Sequence, residues 1–236
     1  MLSMMLSILL LLVPAEPASL PSYPDYSLKL KPSQRLSVAL WPTPAGPVTH
    51  DGATTIIVDA AKFTFTVGGA GGRSRTLAAA IKRYTGAPGN PGGIIFLHGA
   101  GNASRDSSSS NTLHSCSVTV VSSEETLSLG MDESYTLEVS DDASCAITAP
   151  TFVGAVYAME TLSQLVLSDG GALGGDAPAA YWIPQAPWSI SDKPRFPYRG
   201  LLVDTSRHWL PLNALRRQID GLVTNKMNVL HWHLTE

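Results

Sequence analysis

The chain has 236 residues, a formal net charge of −3 and an apolar fraction of 44%. So small a charge gives no electrostatic case for nucleic acid or an anionic membrane as partner, and the apolar share is that of an ordinary globular protein. The departure from average is the amino terminus, where Leu6 to Val13 is an apolar run followed by Pro14-Ala15-Glu16-Pro17-Ala18. It is too short to span a bilayer and is followed by small residues, so residues 1–18 read as a secretory signal peptide cleaved near Ala15 or Ala18, with a retained membrane anchor as the competing reading.

From Ser19 to about Gln185 the pattern is mixed. Thr55 to Asp59, Lys62 to Val67 and Gly93 to Leu97 are strand candidates, the second because it alternates polar and apolar residues. Leu77, Ala80, Ile81 and Tyr84 fall on one face of a helix that ends at Gly86, and Phe152, Val156, Met159, Leu162 and Val166 mark a longer helix ending before Gly170-Gly171. Strands with a helix packed across them predict an α+β domain of roughly 150 residues over 19–185, large enough to bury its own core. The proline-rich stretch after it, 186–197, reads as a linker.

Four local features in this region bear on chemistry. An exported chain meets an oxidising compartment, where Cys116 and Cys145, each beside a β-type run, can form a disulfide; two buried thiols remain the alternative. Asn102-Ala103-Ser104 is an N-glycosylation acceptor within a Gly/Ser-rich stretch. His98-Gly99-Ala100-Gly101 resembles the oxyanion loop of an α/β-hydrolase, but the G-x-S-x-G elbow that fold requires occurs nowhere in the chain. Gly68-Gly69-Ala70-Gly71-Gly72 fails the spacing of a nucleotide-binding loop and reads as a turn.

Tyr198 to Glu236 predicts a strand, a helix and a second strand. Gly200-Leu201-Leu202-Val203 is a continuous apolar run suited to a parallel strand, and Asp204, Thr205, Ser206, Arg207 and His208 follow at its end. Pro211 suits a first helical turn, with Leu215, Ile219, Leu222 and Val223 on one face behind it. Asn228 to Leu234 is the second strand, on which His231 and His233 share a face. Polar residues gathered at the carboxyl ends of strands are the pattern of both (β/α)8 barrels and open doubly wound sheets.

The segments RGLLVDTSRHWLP and NVLHWHLTE, at this separation, closely resemble the start of the catalytic barrel of the β-N-acetylhexosaminidases, glycoside hydrolase family 20. Leu40-Trp41-Pro42-Thr43-Pro44, Asp132 to Leu137, Thr151 to Val166 and Pro194-Arg195-Phe196 are similar to that family's accessory domain and entry link. The resemblance implies an α+β accessory domain followed by the first β-α-β unit of a (β/α)8 TIM barrel, which starts at 198 and is incomplete by Glu236, since a whole barrel takes about 250 residues. It implies removal of terminal N-acetylglucosamine or N-acetylgalactosamine from glycans, with the substrate's acetamido oxygen as nucleophile. The family's catalytic Asp-Glu pair lies on a later strand, so no catalytic residue is expected within this chain, which alone should be inactive.

Residue by residue, Arg207 matches the arginine that holds hydroxyls at the far edge of the terminal sugar, although an ion pair with Asp204 would also explain it. His233 and Glu236 match residues beside the acid carboxylate, where charge tunes its pKa. Arg199 and Asp204 read as structural. The resemblance implies no cofactor, no metal and no nucleic-acid partner, a secretory-pathway location that is lysosomal, vacuolar or extracellular, and it leaves a homodimer open for the complete enzyme. Two other readings stand beside it: a non-catalytic binding or partner module, and a metal-dependent barrel hydrolase using His231 and His233 with His208 as a third ligand.

Overall fold

The computed structural model describes residues 38–86, 93–96, 111–168 and 180–236, together with the backbone alone of 5–7 and, within the second strand, of 51–53. The strands are Met5–Ser7 (β1), Val48–Val58 (β2), Thr64–Gly68 (β3), Thr112–Leu113 (β4), Ser115–Val120 (β5), Tyr135–Val139 (β6), Cys145–Ala149 (β7), Leu167–Ser168 (β8), Tyr181–Asp192 (β9), Gly200–Asp204 (β10) and Val229–His233 (β11). The α-helices are Arg75–Thr85 (α1), Phe152–Leu165 (α2) and Leu212–Thr224 (α3). Apart from the backbone of β1, the predicted signal segment lies outside the described residues, as does the Asn102 sequon.

Most strands join one mixed sheet in the order β3-β5-β7-β6-β9-β2-β4, with β8 beside β9. Strict alternation in β5, β6 and β7 turns Cys116, Val118, Val120, Tyr135, Leu137, Val139, Cys145, Ile147 and Ala149 to the buried side. α2 covers that face. Its sequence is apolar on nearly every side, which suits a helix buried all round, and all of its residues but Gln164 are buried. It lies so close to the sheet that a Cβ on Gly154 would meet the Ser134 carbonyl oxygen at 2.2 Å. Thr151 caps its start, as Ser74 caps α1, and α1 ends at Gly86 with φ 81°. Leu137, Ile147 and Leu162 are fully buried; burial of each such side chain stabilises by about 1.5–3 kcal/mol. Cys116 and Cys145 are bonded to each other across the adjacent strands β5 and β7.

Two sequence expectations fail here. Gly93 to Leu97 does not form a strand: Ile94–Phe96 is a 3-10 turn that buries Ile95 and Phe96 under the helices. The stretch read as a linker is mostly β9, a central strand pairing antiparallel with β6 on one side and β2 on the other through Asp192. Its prolines are accommodated because the β2–β9 pairing shifts register around Thr54, a bulge at which Pro184 and Pro187 need not donate to the ladder. Trp182, Ile183, Ala186, Trp188 and Ile190 are all buried. The accessory region therefore continues to Asp192, and only a short link precedes Tyr198.

β10 and β11 pair in parallel, Gly200 with Val229 and Asp204 with His233, and β1 lies antiparallel on the far edge of β11. Leu201, Val203, Leu230 and Trp232 face α3 and meet Leu215, Ile219, Leu222 and Val223. Only Val203, Leu222 and Leu230 of this cluster are buried. Leu202, on the face that also carries Asp204, His231 and His233, is 58% exposed.

Candidate functional site

Parallel pairing brings the carboxyl ends of β10 and β11 side by side, and four of the residues singled out from sequence meet there. Asp204 caps its own turn: Oδ1 accepts the backbone N–H of Ser206 at 2.9 Å and of Arg207 at 3.1 Å. Its other oxygen lies 3.1 Å from Nη1 of Arg207, whose Nε lies 3.1 Å from Oε1 of Glu236. The same Glu236 oxygen is 3.3 Å from Nε2 of His233. The backbone N–H of Arg207 holds the Asp204 carboxyl below the usual carboxylate range, with the Ser206 N–H, the Arg207 charge and His233 adding to the effect. Behind the cluster, the indole N–H of Trp232 donates to Thr205 Oγ1 at 2.9 Å, and the Thr205 N–H donates to the His233 carbonyl at 3.0 Å. The ion pair with Asp204 is thus present, yet Nη2 of Arg207 has no partner among the described residues and the side chain is 67% exposed.

Sequence reasoning missed what fixes the opposite, amino ends of these strands. Arg199 is a structural residue of wide reach. Its Nη2 pairs with Glu133 Oε1 at 2.8 Å and donates to Tyr157 Oη at 3.0 Å, Nη1 donates to the Phe196 carbonyl at 2.6 Å, and Nε to the Lys226 carbonyl at 2.7 Å. Lys226 is 4% exposed. Its ammonium reaches Tyr135 Oη and Thr161 Oγ1, each at 2.8 Å, and Asp192 Oδ2 at 3.3 Å. Burial holds this lysine below its ordinary pKa, partly offset by the Asp192 carboxylate. Burial, then Asp192, pushes the Tyr135 phenol far up, so it stays protonated and donates to Asp192 Oδ2 at 2.9 Å. Trp41 adds a third tie, its indole N–H donating to Asn225 Oδ1 at 2.7 Å. Glu133 and Tyr135 lie within the Asp132–Leu137 segment that resembled the family, which was the available signal; Lys226, between the helix and the second strand, carries no such signal.

Among the described residues no three His, Cys, Asp or Glu side chains gather as a metal site. His231 is half-buried on the His233 face, and His208 is exposed in the loop after β10.

Comparison with known proteins agrees with this architecture. The profile described as "beta-acetyl hexosaminidase like" matches residues 40–165, and that of the glycosyl hydrolase family 20 catalytic domain matches residues 196–236. Beta-hexosaminidase 1 of Arabidopsis thaliana is 40% identical over 209 residues, covering 84% of this chain and 36% of the relative. Beta-hexosaminidase subunit alpha of Rattus norvegicus is 33% identical over 208 residues, covering 85% and 36%. The X-ray structure of Flavobacterium johnsoniae chitobiase superposes with a TM-score of 0.52 at 27% identity, covering 83% of this chain and 27% of that one. The chain thus spans about a third of the length of the curated relatives it matches. Its sheet-and-helix domain and its strand-helix-strand unit each match the corresponding part of one architecture, and the chain belongs to glycoside hydrolase family 20, the β-hexosaminidases.

Proposed function

We propose that the protein is a β-N-acetylhexosaminidase that removes terminal, non-reducing N-acetylglucosamine or N-acetylgalactosamine by a substrate-assisted, retaining mechanism, and that residues 198–236 supply the sugar-binding edge of its site. The observation that carries this reading is the cluster at the ends of β10 and β11. Two carboxylates, of Asp204 and Glu236, hold the Arg207 guanidinium in place while Nη2 stays available to donate to sugar hydroxyls. His233 and Glu236, 3.3 Å apart, are on this reading the residues whose charge tunes the acid carboxylate. The Asp-Glu pair, the Asp orienting the acetamido group and the Glu serving as general acid and base, belongs to a later barrel strand. The apolar Leu6–Val13 run and the Cys116–Cys145 bond support passage through the secretory pathway, to a lysosomal, vacuolar or extracellular site.

The test joins residues 1–236 to the downstream barrel of the Arabidopsis thaliana relative and follows hydrolysis of an aryl N-acetylglucosaminide. Turnover is expected from the fusion and not from 1–236 alone. Arg207→Ala in the fusion should lower kcat/KM roughly 10- to 100-fold, the value of a charge-assisted hydrogen bond; an unchanged value removes Arg207 from the site. One observation favours the second reading, a non-catalytic binding or partner module: Arg199 and Lys226 dock the strand-helix-strand unit on the accessory domain through one partly buried and one buried ion pair, as one folded unit would require. Sequencing the transcript past the Glu236 codon separates the two readings, an open frame reaching an Asp-Glu pair supporting the enzyme and a stop supporting the module.

A further inference from the structure

The partly buried Arg199 and the buried Lys226 at the amino ends of β10 and β11 take no part in the chemistry proposed above, yet their bonds are specific to single residues. The Arg199 carbonyl accepts the N–H of Asn228 at 3.0 Å and of Val229 at 3.1 Å, the Arg199 N–H donates to Asn228 Oδ1 at 3.0 Å, and Arg199 Nε reaches the Lys226 carbonyl. This set seats Gly200 opposite Val229, and four residues further on the same register seats Asp204 opposite His233. A slip of one residue would turn His233 to the opposite face from Asp204. Three buried apolar side chains lie beneath these strands, and so small a cluster specifies register weakly. Lys226 itself has φ 51°, a left-handed conformation rarely adopted by a residue with a side chain. Its ammonium is held from three separate elements, by Asp192 on β9, Tyr135 on β6 and Thr161 on α2.

We propose that Arg199 and Lys226 are positioning residues for the strand-end site. Anchored to Glu133 and Asp192 of the accessory domain, they lock the β10–β11 register and so keep Arg207, His233 and Glu236 together. Only the purpose of that site, sugar binding, rests on the function proposed above.

The experiment uses residues 1–236 and no substrate, so it stands or falls apart from the glycosidase reading. Two double variants remove a buried charge pair without leaving either charge alone: Lys226→Met with Asp192→Asn, and Arg199→Met with Glu133→Gln. Arg199→Lys keeps the charge opposite Glu133 but has no Nε and no planar fork. Hydrogen exchange is read at Val118, Leu137 and Ile147 in the accessory core and at Leu230 to His233 in β11, and the ring chemical shifts of His233 are read by NMR. In both double variants, exchange in β11 should rise about tenfold or more while the accessory core changes by less than about twofold, the pattern of a local opening. The His233 ring chemical shifts should move toward those of an unstructured histidine, and Arg199→Lys should fall between wild type and the corresponding double variant. An unchanged β11 and His233 signal would overturn the proposal. So would equal loss of protection in both regions, which would make the pairs general stabilisers and nothing more.

Discussion

The accessory sheet and the β10–α3–β11 unit are held together by different means. In the sheet every inward position of β5, β6 and β7 is buried, Val120, Leu137, Val139 and Ala149 completely, and α2 is enclosed on nearly all sides. In the strand-helix-strand unit the buried apolar cluster is three residues, and Leu202 and Trp209 stay 58% and 83% exposed. What the second region lacks in apolar contact it has in directed polar contact, with one buried and one partly buried ion pair reaching into the first. Buried ion pairs are weak sources of net stability, because desolvation offsets most of the attraction, but their geometry is exacting. The contrast teaches that apolar area makes the accessory domain stable, whereas polar pairs decide where β10 and β11 sit on it.

The most severe way to break that contrast is to cut β9. A chain ending at Gln185, where sequence alone put the domain boundary, loses Ala186, Trp188 and Ile190 and with them the pairing to β6. It should show no cooperative unfolding transition by circular dichroism. A chain ending at Lys193 retains all of β9 and should unfold cooperatively. A folded 1–185 chain would show that the core does not depend on β9.

Next in size is the bond between Cys116 and Cys145, which are 29 residues apart. Closing a loop of that length removes unfolded-state entropy worth about 3–4 kcal/mol. Cys116→Ser with Cys145→Ser should therefore lower the stability of the accessory sheet by that order in denaturant titration, and reductant should have the same effect on wild type only. Smaller again is Leu222→Ala, in the α3 cluster. It should cost about 2–3 kcal/mol, the low end for a buried leucine, because a thinly packed site collapses readily. Hydrogen exchange should place the loss in β10 and β11; an equal loss in β6 would mean that the two regions share one core.

How far the sequence reveals this molecule differs between the same two regions. α2 is legible in Thr151 to Val166 because a run apolar on every side admits little but a buried helix, and the strand ends are legible because Asp204, Arg207 and His233 follow apolar runs directly. β9 is not, since Pro184, Gln185 and Pro187 are local signals of a turn, and the bulge opposite them on β2 is a property of a partner more than a hundred residues away. The Gly93 to Leu97 reading fails for the converse reason: its residues favour a strand, but Ile95 and Phe96 find burial under α1 and α2 in a 3-10 turn instead. The junction is the least legible feature, because Lys226, Asp192, Tyr135 and Thr161 come from four segments and none has a local pattern that names the others.

The smallest expected effect lies at the strand ends and concerns acid. Hydrogen bonds from the Arg207 and Ser206 backbone, with the nearby guanidinium, favour the charged form of Asp204, so its folded pKa lies below its unfolded one. A group shifted in that direction contributes stability that is present above the unfolded value, about 3.9, and is lost as pH falls through the folded value. The side chains around it are largely solvated, so salt should weaken the effect further. Asp204→Asn keeps an oxygen for the Ser206 and Arg207 N–H groups but carries no charge to lose. NMR of the Asp204 carboxyl carbon and of Arg207 Nη1, its ion-pair partner, should therefore show a common midpoint below about 3.9 in wild type, and that transition should be absent at Arg207 Nη1 in the Asn variant. A carboxyl midpoint at or above the ordinary value would mean that the Asp204 turn does not hold the arginine in solution, and the strand-end cluster would lose its anchor.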